Sequence, residues 1–180
     1  MKKKLLCIFL LGVGLTISIF ADEKIVWSPK DNIGKTTTWK NNDKASANHG
    51  DGFYEIVLSG SEWSGMGLNW EGYWPADAGE KAADYKNLIL ELKISGANAK
   101  DLQVALKDNK SKDSTSVFVK KYFPDGTVTS ERTVLKIPMA DLLTEKSKFE
   151  TGVVWEIMFH SWTQDNKDIK IEIYKIAFEK

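Results

Sequence analysis

A run of seven residues with period-two alternation does most to limit how this chain can fold. In Leu88-Ile89-Leu90-Glu91-Leu92-Lys93-Ile94, the residues Leu88, Leu90, Leu92 and Ile94 fall on one side and Glu91 and Lys93 on the other. That period belongs to a strand with one buried face. The pattern recurs. Leu102, Val104 and Leu106 alternate with Gln103, Ala105 and Lys107 after a Gly96-Ala97-Asn98 turn. Thr133 to Ile137 reads as a strand ended by Pro138, and Lys24 to Trp27 as a strand stopped by Ser28-Pro29. Shorter runs at Thr36 to Trp39, Phe53 to Leu58 and Ser114 to Tyr122 add to the set. Turns are placed at Asn48 to Gly52, Asp108 to Asp113, Pro124-Asp125-Gly126 and Thr163 to Asp168. Helix is confined to single turns, around Glu80 to Asp84 and Met139 to Leu143.

Two late runs complete the sheet pattern. Val153, Trp155, Ile157 and Phe159 alternate with Val154, Glu156, Met158, His160 and Trp162. In the last strand the apolar parity switches between Ile173 and Ile176, which predicts a β-bulge. About nine or ten short strands and no long helix define an all-β chain, an antiparallel β-sandwich or barrel. Leu90, Leu92, Val104, Trp155, Ile157 and Phe159 are the expected core.

The stretch Trp63 to Trp74 stands apart. It holds three of the seven tryptophans and Tyr73. Met66, Leu68 and Trp70 alternate with Gly65, Gly67 and Asn69, so one strand face is large and the other nearly bare. Glycine weakens a strand and marks a close approach by something else. The expectation is an open glycine face walled by an aromatic loop, Glu71 to Pro75.

Residues 1–21 read as a secretory signal peptide: Lys2, Lys3 and Lys4, an apolar run from Leu5 to Phe20, then Ala21 before Asp22. The apolar run is short of the ~20 residues of a spanning helix. The expected mature chain, residues 22–180, is one β-sandwich domain with an extracytoplasmic location in the periplasm, on the cell surface or in the medium, and no membrane insertion. Without the signal it keeps 22 basic and 25 acidic groups and no cysteine. A near-neutral charge without a basic block argues against nucleic acid as partner.

Four runs carry a family resemblance: Gly65-Met66-Gly67-Leu68-Asn69-Trp70; Tyr85-Lys86-Asn87-Leu88; Ile137-Pro138-Met139-Ala140-Asp141-Leu142; and Ile171-Glu172-Ile173-Tyr174-Lys175-Ile176. In their order the chain resembles jelly-roll carbohydrate-binding modules with a galactose-binding-like fold, family-eleven modules and their relatives. The resemblance implies a jelly roll, a glycan partner and a structural calcium near the first and last strands. The closing acid of those families is usually Asp, and here it is Glu172. Asp43, Asn48, Asp51 and Glu55 offer oxygen ligands of the type calcium takes, but without EF-hand spacing. The residues themselves require no cofactor.

The chemistry points the same way. Two histidines, His49 and His160, make no metal cluster, and no Gly-x-Ser-x-Gly elbow is present. A glycosidase needs two carboxylates across a cleft. Glu156 and Glu172 are the strand carboxylates available, but no acidic cluster accompanies them. Sugars present apolar C–H faces fringed by hydroxyls, so their sites mix flat rings with polar groups. The outward residues supply both: Asn69, Gln103, Lys107, Glu156, His160 and Trp162 from strands, with Trp63, Tyr73 and Trp74 from loops. The expected function is non-catalytic carbohydrate binding through an aromatic-lined sheet face. A protein-interaction or adhesin domain using that face is the alternative.

Overall fold

The computed structural model describes residues 22–32, 37–40, 45–59, 62–74, 80–150, 152–163 and 168–180. The leader, residues 41–43, Pro75 and residues 164–167 of the stretch expected as a turn from Thr163 to Asp168 lie outside them. Among the described residues, eleven strands pair antiparallel: β1 (Glu23–Trp27), β2 (Thr37–Lys40), β3 (Ala45–His49), β4 (Tyr54–Leu58), β5 (Glu62–Trp74), β6 (Asn87–Ser95), β7 (Gln103–Asp108), β8 (Val117–Phe118), β9 (Thr133–Pro138), β10 (Val154–Thr163) and β11 (Ile169–Glu179). One sheet of six strands runs β3-β4-β11-β6-β9, with β1 also paired to β11. The other, of five, runs β2-β5-β10-β7-β8. The alternating runs thus form the expected antiparallel β-sandwich.

A single apolar layer joins the two sheets. Leu88, Leu90, Leu92 and Ile94 of β6 and Ile171, Ile173, Ile176 and Phe178 of β11 come from the first sheet. Met66 and Leu68 of β5, Val104 and Leu106 of β7, and Ile157 and Phe159 of β10 come from the second. All fourteen are buried, because each occupies the apolar parity of its strand. The parity switch in β11 is a bulge: the register with β6 shifts between Ile173 and Lys175, and Tyr174 is the extra residue.

Four local expectations are corrected. β10 carries its own bulge between Val154 and Glu156, visible in its register with both β5 and β7. The insertion turns Val154 into the core and leaves Trp155 half-buried, although alternation placed them the other way round. Ser114 to Tyr122 is a strand only at Val117–Phe118, because Val119–Tyr122 winds into a 3-10 turn as the Val119 amide donates to Leu102 O at 2.9 Å. Ala45–His49, whose end was read as a turn, pairs along β4 as an edge strand. The residues Glu71–Trp74, read as a loop, continue β5. Of that run only the backbone is described.

Candidate functional site

The outer face of the five-stranded sheet gathers most of the residues singled out from the sequence. Register fixes the arrangement, since residues opposite each other on paired strands share a face. Lys107, Glu156 and Asn69 lie in one row across β7, β10 and β5. Ala105, Met158 and Gly67 form the next. Gln103, His160 and Gly65 form the third, and Trp162 opposite Trp63 the fourth. A polar row, an apolar row, a second polar row and an aromatic pair therefore follow one another along β10. Trp39 of β2 pairs with Gly67, which extends the register one strand further.

The charged row is tightly held. Glu156 is 0% exposed. Asn69 Nδ2 donates to its Oε2 at 3.1 Å, and the Lys107 ammonium lies 3.5 Å from Oε1. Lys107 also lies 3.7 Å from Asp113 Oδ1, and Asp113 bridges to it across the sheet edge. A buried carboxylate persists only when paired and hydrogen-bonded, and this one is both. Glu156 faces outward by parity, yet its side chain is covered. Its carboxylate lies within the cluster and fixes Asn69 and Lys107.

In the third row His160 is buried, with Nε2 3.0 Å from Ser116 Oγ. Burial pushes its imidazole below the ordinary value, against a smaller opposing pull from Asp113. Nδ1 has no hydrogen-bond partner among the described residues. The Trp63 ring lies 6.1 Å from the His160 ring at 34°. A Cβ on Gly65 would stand 2.7 Å from the Trp63 indole and 3.2 Å from His160 Cβ. The strip expected to be bare is thus filled at Gly65 by the indole of its own strand. Glycine there is a steric requirement of Trp63. Trp162, directly opposite Trp63, is 65% exposed.

Gln103 is half-buried in the same row as His160. Tyr73 and Trp74 are strand residues by backbone, with Trp74 opposite Val154, and their side chains lie outside the described part of the structure. Sequence reasoning missed Phe118. This residue of β8 is 46% exposed and sits opposite Gln103. The signal was present in Val117-Phe118, where an apolar pair on a short strand must put one member outside.

The calcium implied by the resemblance does not fit the described residues. The Glu172 carboxylate accepts from the Tyr174 hydroxyl at 2.8 Å and lies 3.6 Å and 3.7 Å from the Lys93 and Lys170 ammonium groups. Glu55 pairs with Lys170 at 2.5 Å, and Asp51 and Asn48 are exposed. Asp43 lies outside the described residues. Among the described residues no group of three or more His, Cys, Asp or Glu is placed to hold a metal. No helix among them is long and apolar enough to cross a membrane.

Comparison with solved structures gives the class. The family 11 carbohydrate-binding module of a cellulosomal cellulase of Clostridium thermocellum superposes with a TM-score of 0.54 at 10% identity, covering 88% of this chain and 95% of that one. The family 30 module of a second cellulosomal cellulase of that organism gives 0.54 at 18% identity, covering 81% and 92%. A β-1,2-glucanase from Parabacteroides distasonis gives 0.59 at 11% identity, covering 82% of this chain but 23% of the enzyme. At these identities the likeness is one of fold, that of the jelly-roll carbohydrate-binding modules. Curated proteins give no match. The sequence profile of carbohydrate binding domain 30 matches residues 16–180, and the chain belongs to that family. It is a carbohydrate-binding domain, and membership of such a family indicates a non-catalytic module.

Proposed function

We propose that the domain is exported and holds an oligosaccharide or polysaccharide across the outer face of its five-stranded sheet. The observation that carries this is Trp162, a large ring 65% exposed beside Trp63 and two residues along β10 from His160. Leaving such a ring in water forgoes the ~1.5–3 kcal/mol that burial of a large apolar side chain brings. A sugar ring stacked on it would recover that term. Gln103, Lys107, His160 and Asn69 would orient the hydroxyls, and Glu156 would act from beneath by positioning Lys107 and Asn69.

A glycan array probed with wild type and Trp162→Ala tests the reading. The variant should lose its glycan signal while its melting temperature stays within about a degree, as for an exposed side chain. A variant that unfolds, or that binds as well as wild type, overturns the site. Silence of the wild type across the array would favour the protein-interaction or adhesin reading of the same face. Export rests on the leader at residues 1–21 and is tested by N-terminal sequencing. The mature chain should begin at Asp22, and retained Met1 or a lipid on Cys7 would refute it.

A further inference from the structure

We infer that Phe118 is a further contact of the glycan site, which therefore runs obliquely across the sheet from Trp162 on β10 to the β8 edge. The inference rests on the proposed function of this face and deepens it. Phe118 has the right parity. Its neighbour Val117 pairs with Val104 and is buried with the core, so Phe118 points to the opposite side, in the row of Gln103 and His160.

Phe118 is 46% exposed. A lone exposed Phe is ordinary on a protein surface, but this one has a site's surroundings. Gln103 stands directly opposite and is itself half-buried. Exposed Ser116, two residues before it, holds its hydroxyl 3.0 Å from His160 Nε2 and so brings a polar group beside the ring. Lys120 Nζ lies 5.5 Å from the ring centroid, a cation–π contact that steadies the ring.

The geometry sets the consequence. β8 and β10 are separated by β7, and Trp162 lies one pleat repeat beyond the His160 row. With strands ~4.8 Å apart and ~3.4 Å per residue, Phe118 and Trp162 stand on the order of 12 Å apart along a diagonal. A short oligosaccharide seated on Trp162 cannot reach Phe118, whereas a longer one can. Phe118 should therefore select for chain length.

The test compares wild type, Phe118→Ala and Phe118→Tyr on short and long members of neutral oligosaccharide series, cello-oligosaccharides among them, with thermal melting in parallel. Phe118→Ala should weaken binding of long members about three- to tenfold, as loss of one stacked ring does, and leave short members and the melting temperature unchanged. Phe118→Tyr should restore the long-chain affinity. Unchanged long-chain binding by Phe118→Ala, or an equal loss at every length, overturns the inference. A wild type silent to all series fails at the earlier step, the assignment of the face to glycans.

Discussion

His160 shows how a single buried ring ties the candidate site to stability. Its imidazole is held below the ordinary value of 6.5, chiefly by burial, with Asp113 pulling the other way. The folded state therefore keeps His160 neutral where the unfolded chain would take up a proton. By linkage, its contribution is fully present above pH 6.5 and declines as pH falls below that value, levelling once the depressed folded value is passed. Glu80, Asp141 and Glu179 are held below their usual values by their lysine partners, so their contributions are lost only in more acid solution. Between pH 7 and about 5, a fall in melting temperature should thus come mainly from His160 and shrink in His160→Gln. Thermal scans across pH for both proteins decide it, and parallel curves would count against the assignment. Alternation alone gave the side of β10 on which His160 lies. Its burial was not legible, since that depends on Trp63 lying over Gly65 and on Ser116 reaching it from the segment just before β8.

At the scale of the element, β5 couples site geometry to sequence. Two of its glycines, Gly65 and Gly67, stand opposite His160 and Met158. A methyl group at position 65 would collide with the far end of the Trp63 indole, which can swing aside, and would press on His160 Cβ, which can give by only tenths of an ångström. Gly65→Ala should therefore move Trp63, cost about 1–3 kcal/mol as overpacking does, and weaken glycan binding beyond what the lost stability explains. Isothermal titration below the melting transition, with tryptophan fluorescence to report Trp63, is the measurement. Unaltered affinity would show that Trp63 does not border the site. Strand content was legible wherever alternation was strong, as in β6, β7 and β11, bulge included. It failed where pairing is imposed from outside. Ala45–His49 is polar and becomes a strand because β4 offers an unpaired edge. Trp155 was misplaced because the β10 bulge lies within an unbroken apolar alternation, so no change of parity betrays it, whereas Ile173 and Ile176 betray the bulge in β11. Parity placed Gln103, Lys107, Glu156, His160 and Trp162 on one face, and the strand registers put them in adjacent rows. Phe118 escaped because Ser114 to Tyr122 looked like one continuous strand whose inward and outward residues could not be told apart.

For the molecule as a whole, the two sheets share one apolar layer, and neither can hide its inner face without the other. Leu90 of the six-stranded sheet and Phe159 of the five-stranded sheet are both fully buried in that layer. Removing either side chain leaves a cavity both sheets border, at a cost of ~2–5 kcal/mol for Leu90→Ala and ~3–5 kcal/mol for Phe159→Ala. Gln103→Ala, on the outer face, should cost less than ~0.5 kcal/mol. If the sheets fold as one unit, calorimetry of each variant will show a single transition, moved down by about 2–4 °C per kcal/mol for a chain of this size. Added calcium or a chelator should leave that transition in place, because Lys93, Lys170 and Tyr174 already engage Glu172. Two transitions, with Leu90→Ala moving one and Phe159→Ala the other, would mean that the sheets melt independently and that the candidate face is a separable half of the fold.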